Sequence, residues 1–379
     1  MTAEDEAAED EAAEDEAAKG GAVRGGRRRN GRSPSPRTVG GARELAAALL
    51  TAAGVPSTEA ARTAHAIVLA DCWGIGSHGL LRLPYYLRRL LAGGCRADAR
   101  LVTVTDTGPL VSYDGQHGLG HWQLWRAAEL AAERCTQYGV AAVTVGRTSH
   151  CGALGIYTLP PVEAGQAALV LSNGPAVMPP WEGHRPVVST SPLAAGFPGA
   201  RSQDGQAPGR PAVVDLATSA VARGRIAQRA ATGEPLPPGW AFDAAGRPTA
   251  DASEALHGML APLGGAKGFA LAFLVEAFTG GVVGPSLSTG VTDMFAAEDA
   301  ASPQDIAHLV VAFDVERAAV DGAARERLAA LSESVRQAGG RVPGEGRTPP
   351  EEIDPAGPLT VPDALADELA TWARRLGVG

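Results

Sequence analysis

The chain has 379 residues, 45% of them hydrophobic, with 33 basic against 42 acidic side chains and a formal net charge of −9. At roughly 100 to 200 residues per domain, that length holds two or three domains around a sizeable core. The acidic balance argues against a general binder of nucleic acid or of an anionic membrane surface.

Only Lys19 and Lys267 among the basic residues are lysine; high-GC coding explains such a bias blandly. Cys72, Cys95, Cys135 and Cys151 lie far apart with no CxxC pair, so neither a zinc site nor a disulfide framework is expected, and a reducing cytoplasm fits best. The N-terminus is acidic where a secretory signal needs a basic region followed by an apolar one. The longest apolar stretch, near Gly268 to Val283, contains Glu276 and several glycines. Neither export nor a membrane span is expected.

Residues 3–17 are three copies of Ala-Glu-Asp-Glu-Ala, followed by an Arg/Gly block from Arg24 to Arg32 and Ser-Pro-Ser-Pro at Ser33 to Pro36. Such segments bury almost no apolar surface and so cannot offset the entropy of ordering, which predicts a disordered charged tail over residues 1–38. From Arg43 the pattern turns helical through Leu45, Leu49 and Leu50. Pro56-Ser57-Thr58 then starts a second helix carrying Ala64, Ile67 and Val68 toward Asp71. Strands are expected at Val140–Val145, Ala167–Leu171, Ala212–Val214 and Leu309–Phe313, and helices at Trp122–Cys135, Ser219–Arg229 and Gly268–Phe278, an α/β pattern. Glu316–Gln337 reads as an exposed amphipathic helix with Leu328, Leu331 and Val335 on one face, and Asp363–Leu376 as the last helix.

Three familiar signatures are absent in their working context; the GxGxxG match at Gly74 to Gly79 follows an expected helix. No GxGxxG follows a strand, so a Rossmann pyrophosphate turn is not indicated. Gly264-Gly265-Ala266-Lys267-Gly268 is too short for a P-loop and lacks its Ser/Thr, and no HExxH occurs. His117 and His121 are four apart, but Gly118 and Gly120 between them and the lack of a third ligand argue against a metal pair; no metal is expected.

What remains are polar residues in Gly-rich surroundings. In the run Asp71 to Tyr86, Pro84 favours a helix starting near Arg82 or Leu83, which leaves Ser77 and His78 in a Gly-flanked turn. Arg82 follows, and its rigid fork of donors suits a substrate carboxylate. Read alone, the same residues are also a helix-capping Ser and a surface His. Gly146 to Gly155 places His150 directly after a strand, where ligands usually bind in α/β sheets. Ser172-Asn173-Gly174, Trp181-Glu182-Gly183 and Ser189-Thr190-Ser191 are strand-end loops of small donors, suited to a dinucleotide and equally to ordinary turns. Asp215 leaves a strand where it could orient a histidine. Lys267 sits in a glycine turn before an apolar helix, where a compact ammonium rather than a planar fork fits. A Ser-His-Asp hydrolase is disfavoured: Ser77 and His78 are adjacent, and Ile75 occupies the first Gly position of GxSxG.

Taken in order, the Gly74 to Tyr86 run, the Gly146 to Gly152 run, Thr190-Ser191-Pro192-Leu193, Asp215 to Ser219, and Leu263 to Gly268 resemble the malate/L-lactate dehydrogenase family over roughly residues 41–320. That family includes sulfolactate and ureidoglycolate dehydrogenases and piperideine-2-carboxylate reductases. The resemblance implies an α/β fold: a mixed-sheet, non-Rossmann domain binding NAD or NADP, plus a mostly helical domain built from N- and C-terminal segments. It divides the chain into residues 39–112, a helical and substrate segment; 113–313, the cofactor and catalytic domain; and 314–379, a helical segment packing on the N-terminal one.

The implied reaction moves a hydride between nicotinamide and C2 of a small 2-hydroxy or 2-oxo acid, or of a cyclic imino carboxylate. A histidine near neutrality carries the accompanying proton. By the resemblance, His78 with Ser77 and Asp215, and His150, are the catalytic residues, the proton carrier among them left open. Arg82 holds the carboxylate, Tyr86 lines the pocket, and Ser172, Thr190, Ser191 and Lys267 lie along the cofactor. A homodimer is implied, with a small anionic substrate as partner. An inactive, binding-only family member is the alternative. Departures from the family pattern, such as Pro160-Pro161 within an expected helix and Ser191 where Asn is typical, leave the substrate open.

Overall fold

The computed structural model describes residues 37–200, 209–293 and 296–378. Most of the acidic and Arg/Gly tail therefore lies outside the described residues. Arg37 and Thr38, assigned to that tail from sequence, belong to the fold. Thr38 caps helix α1 (Val39–Ala52) by accepting the Gly41 N–H at 3.1 Å, and it bridges to Pro358.

Helices α1, α2 (Ser57–Cys72) and α3 (Leu83–Ala92) form the helical part. Their apolar positions recur three and four apart: Val39, Ala42, Ala46, Leu49 and Leu50 on α1, and Ala60, Ala64, Ile67 and Val68 on α2. This periodicity lets each helix bury one stripe. Pro84 stands in the first turn of α3, where a missing N–H costs nothing. The last helix of the chain returns to the same core: Leu365, Leu369, Trp372 and Ala373 pack with Leu49, Leu83 and Leu87.

The larger part is a seven-stranded sheet ordered β1-β2-β3-β10-β4-β5-β6. Its strands are β1 (Val102–Asp106), β2 (Leu110–Gly118), β3 (Val140–Thr148), β4 (Ala167–Ser172), β5 (Leu193–Phe197), β6 (Ala212–Leu216) and β10 (Ile306–Phe313). Only β2 and β3 pair in parallel; every other neighbouring pair is antiparallel. A Rossmann sheet needs parallel strands joined by crossover helices, so this is the mixed, non-Rossmann sheet.

Strand β10 is the centre. It arrives from about 130 residues beyond β4, inserts between β3 and β4, and pairs His308 with Ser172 on one side and Val145 on the other. Helix α4 (Gly120–Tyr138) covers one face through Leu124, Ala127, Ala128 and Ala131, packed on Val143, Val145, Val170 and Val310. Val275, on a helix from Ala266, packs with Leu171 and Leu309.

A three-stranded satellite of β7 (Ala241–Phe242), β8 (Pro248–Thr249) and β9 (Met259–Leu260) encloses its own cluster around Met178, Ile226 and Leu236.

Two expected helices differ. Ser219–Arg229 becomes α5 (Arg223–Thr232), because Ser219 is drawn into a bridge with Pro262 and its hydroxyl donates to the Val221 carbonyl. Glu316–Gln337 is not continuous: a short turn at Val315–Ala318 is followed by Ala324–Gln337. Gly322 at φ +67° and Asp321, which accepts the Ala323 N–H, make a turn between them. The later piece lies at the sheet edge, where Arg325 donates to the Gly199 and Ala200 carbonyls. Strands β1, β2 and β5 lie outside the expected set: β1 carries the alternation Val102-Thr103-Val104-Thr105 that marks a strand, whereas Leu193–Phe197 in β5 carries none.

The C-terminal helix closes the first core, so truncating it there tests the arrangement. Leu369→Ala, at a position with no exposed surface, is expected to cost about 2 to 5 kcal/mol of stability in denaturant unfolding. A loss below about 1 kcal/mol would contradict this packing.

Candidate active site

Helix α2 ends at Cys72, and the chain reverses through two short 3-10 turns, Gly76–His78 and Leu80–Arg82, into α3. Asp71 holds this reversal. Its Oδ2 accepts the Leu80 N–H at 2.8 Å, and its carboxyl fills the space beside Gly79, where an added Cβ would lie 1.9 Å from Oδ1. Burial pushes the Asp71 pKa up to about 7, with the Leu80 hydrogen bond opposing it.

From this turn Ser77 Oγ lies 2.9 Å from His78 Nδ1, and Arg82 Nε donates to the Ser77 carbonyl at 2.7 Å. One helical turn on, Tyr86 is buried at 2% exposure.

The second half of the site comes from the end of β3. Gly120, at the start of α4, approaches the following loop so closely that a Cβ would sit 2.1 Å from the Ser149 carbonyl oxygen. The Ser149 hydroxyl accepts the Gly120 N–H at 3.2 Å. This brings His150 onto the helical part. Tyr86 Oη lies 2.7 Å from His150 Nδ1, and the His78 and His150 rings stack with centroids 5.7 Å apart and planes at 22°. The Gly152 N–H also points at His150 Nδ1, at 3.3 Å. An N–H donor requires an acceptor, so His150 presents its Nε2–H outward.

Three residues not expected in this site from sequence complete the surroundings. Gln304 Oε1 accepts the His150 N–H at 3.2 Å. His308 engages both ring nitrogens, Nδ1 with Ser172 Oγ at 2.9 Å and Nε2 with the Ser149 carbonyl at 3.2 Å. His121 packs edge-on against Tyr86 with centroids 4.7 Å apart. The signal for His308 was a histidine inside an otherwise apolar strand; for Gln304 and His121 no local signal distinguishes them. His117, considered with His121 as a metal pair, turns away and lies 3.2 Å from Asp305.

Burial holds all four imidazoles uncharged. It pushes His78 down to about 4, helped by Arg82, His308 to about 4, and His121 to about 3, helped by His308 and His78. His150 falls well below the usual imidazole range through burial, then through His78, His121, Arg82 and His308.

The remaining expected site residues fall into two groups. Asp215 accepts the Gly155 N–H at 2.8 Å and, among the described residues, makes no hydrogen bond with His78; Ser77 is the group at the His78 ring. Ser172 and Ser191 are buried, with hydroxyls turned inward: Ser172 to His308 and the Asn173 carbonyl, Ser191 to Ser189. Thr190 is partly exposed, and its carbonyl accepts both the N–H and the hydroxyl of Thr218. Lys267 is exposed in the first turn of α6 (Ala266–Glu276), preceded by Gly264 and Gly265 at φ +57° and +68°. An exposed ammonium beside the leading N–H groups of a helix, reached through a turn that only glycine adopts easily, is a donor set that fits a phosphate-bearing dinucleotide.

The neutral histidines make a pH prediction. Their folded pKa values lie below the unfolded value of 6.5, so the stability they contribute is present above pH 6.5 and lost as pH falls toward 4. Asp71, raised from 3.8 to about 7, and Asp215 and Glu163, also raised by burial, act in the opposite sense, three carboxyls against five imidazoles once His65, lowered to about 4, is included. The thermal midpoint is expected to drop on acidification from pH 6.5 to 4, and a flat profile there would contradict the assignment.

The family model described as malate/L-lactate dehydrogenase matches residues 39–370. The chain is 37% identical over 332 residues to (2R)-3-sulfolactate dehydrogenase (NADP(+)) of Chromohalobacter salexigens, covering 88% of this chain and 96% of that protein. It is 33% identical over 331 residues to the Delta(1)-pyrroline-2-carboxylate/Delta(1)-piperideine-2-carboxylate reductase of Pseudomonas aeruginosa, covering 86% and 96%. Among solved structures, sulfolactate dehydrogenase from Methanocaldococcus jannaschii superposes with a TM-score of 0.81 at 26% identity, over 90% of this chain and 98% of that one. Matched along nearly its whole described length in sequence and fold, the chain belongs to the malate/L-lactate dehydrogenase family and is an NAD(P)-dependent oxidoreductase.

Proposed function

We propose that this oxidoreductase acts at C2 of a small 2-hydroxy or 2-oxo acid, or of a cyclic imino carboxylate, with His150 and His78 at the reacting atoms. The observation that carries this reading is the stacked His78–His150 pair, fixed from one side by Ser77 and from the other by Tyr86. Nicotinamide, when bound, supplies or accepts the hydride.

The chain's own residues do the rest. His150 has Nδ1 committed to Tyr86 and Gly152, so its Nε2–H faces the substrate oxygen or nitrogen and donates a hydrogen bond to it. His78 has Nδ1 beside Ser77, which leaves Nε2 to move the proton. An anionic substrate raises the pKa of both rings toward neutrality, where proton transfer is most effective. Arg82, anchored through Nε to the Ser77 carbonyl, holds the substrate carboxylate, and Tyr86 lines the pocket against His150. Asp215 supports the site through Gly155. Thr190 and Lys267 contact the dinucleotide, while Ser172 and Ser191 shape its loops from inside. The names of the relatives point to sulfolactate-type acids and to cyclic imino acids as the first substrates to try.

The protein works as a homodimer in this reading. Helix α6 continues through a π-helical turn, Ala277–Val283, and the outer side exposes Leu271, Phe273, Leu274, Phe278 and Val282, the last two at 48% and 75%. A contiguous apolar strip of this kind marks a binding surface. Ala266–Val283 is also long and apolar enough to cross a membrane by length and composition. A second copy is favoured because Val275 packs under the sheet with Leu171 and Leu309, an attachment that keeps the strip on a folded body.

Two measurements test these proposals. His78→Asn and His150→Asn are each expected to lower kcat by about 10²-fold or more, assayed as oxidation of NADH and NADPH with pyruvate, oxaloacetate, sulfopyruvate and cyclic imine carboxylates; full activity in both variants would end the reading. Phe273→Asp combined with Val282→Asp is expected to turn a dimer into a monomer in sedimentation velocity. A wild-type monomer would overturn the dimer proposal.

A further inference from the structure

Helix α6 and its π-helical extension are built inside out. The apolar side chains Phe273 and Phe278 are 62% and 48% exposed, yet the one carboxylate of the segment, Glu276, is 7% exposed. A buried carboxylate is costly unless its oxygens are bonded. Both are. Oε1 accepts the Ser288 N–H at 2.6 Å, and Oε2 accepts the Ser288 hydroxyl at 2.5 Å. Gly280 makes room, since a Cβ there would lie 2.8 Å from Oε1.

The bonding continues in one direction. With its proton given to Glu276, the Ser288 hydroxyl has only lone pairs to offer, and it accepts the Ser189 N–H at 3.2 Å. The Ser189 hydroxyl in turn accepts the Ser191 N–H at 2.8 Å. Ser191 is fully buried at φ +40°, a left-handed conformation that a non-glycine residue holds only when its surroundings impose it. Thr190 lies between the two serines, so its direction follows from theirs. A neighbouring tie runs parallel: Asn173 donates to the Ser286 carbonyl and accepts the Ala307 N–H.

We propose that Glu276 is a positioning residue for cofactor binding, acting through Ser288 to set the Ser189–Ser191 loop. The inference rests on the reading that this loop lies against the nicotinamide cofactor. Glu276 itself touches no reacting atom; by taking the Ser288 hydroxyl proton it turns that oxygen's lone pairs to the Ser189 N–H. A glutamine there has one acceptor where two are needed, so it leaves either the Ser288 N–H or its hydroxyl facing an NH2 group.

The test is a fluorescence titration of NADH and NADPH onto the full chain without acid substrate. Glu276→Gln and Ser288→Ala are each expected to raise the Kd of the preferred cofactor at least tenfold. The double variant should be no worse than the poorer single, because both cut the same chain. Glu276→Asp is expected to recover part of the affinity, and with saturating cofactor the KM for the acid should stay within twofold. If Glu276→Gln does not fold, Ser288→Ala alone decides. Unchanged Kd in these variants, with a raised Kd in Thr190→Ala, would overturn the positioning role and leave the loop assignment standing. Unchanged Kd in Thr190→Ala as well would overturn both.

Discussion

The contact on which the site depends is the hydrogen bond between the Tyr86 hydroxyl and His150 Nδ1. Tyr86 belongs to the helical part and His150 to the end of a sheet strand, so this bond registers one half of the protein on the other. Tyr86 is almost wholly buried, and its phenol is held far above its ordinary pKa by that burial. It therefore stays a neutral hydroxyl that donates to His150 Nδ1 and leaves that ring's proton on Nε2. His78, stacked on His150, is held from the same helical side through Ser77 and the turn that Asp71 ties. Loss of this registration would separate two rings whose value lies in their proximity.

Desolvation has a second effect. Four imidazoles gathered within one site would repel one another if charged, and burial removes that conflict by keeping them neutral. His308 spends both nitrogens on structure, and His121, buried edge-on against Tyr86, has neither ring nitrogen bonded among the described residues; in the proposed function a nitrogen of His78 and one of His150 stand at the substrate. The same logic runs through Glu276, where a charged group is buried because a defined set of hydrogen bonds receives it. In each case the cost of burial is offset by geometry that an exposed group would not hold.

Much of this was legible beforehand because local chemistry announces itself. Ser77, His78, Arg82 and Tyr86 sit within ten residues, in a glycine-flanked turn leading to a proline-started helix. His150 follows an apolar strand directly. The helices α1, α2, α4 and the last helix follow from apolar spacing, and the absence of a Rossmann fingerprint agrees with a sheet that has a single parallel pair. Two helix boundaries slipped for local reasons: Ser219 found a partner at Pro262, and an Asp-Gly turn interrupted an amphipathic run. Asp215, expected at His78, instead accepts the Gly155 N–H.

By itself the sequence determined the fold class and the family and singled out the candidate site residues, because helix periodicity, strand runs and short motifs are set by neighbours along the chain. Only the tertiary structure decided that His150 Nδ1 is the bonded nitrogen, which serines face inward, and that Gln304 meets the His150 N–H, His308 meets Ser172, and Glu276 meets Ser288. Those facts depend on β10 inserting between β3 and β4 and on Ser288 meeting Glu276 and Ser189. Hydrogen-bond partners are chosen by distance and direction in space, and a buried donor takes the acceptor that packing places beside it, however far away along the chain that acceptor lies.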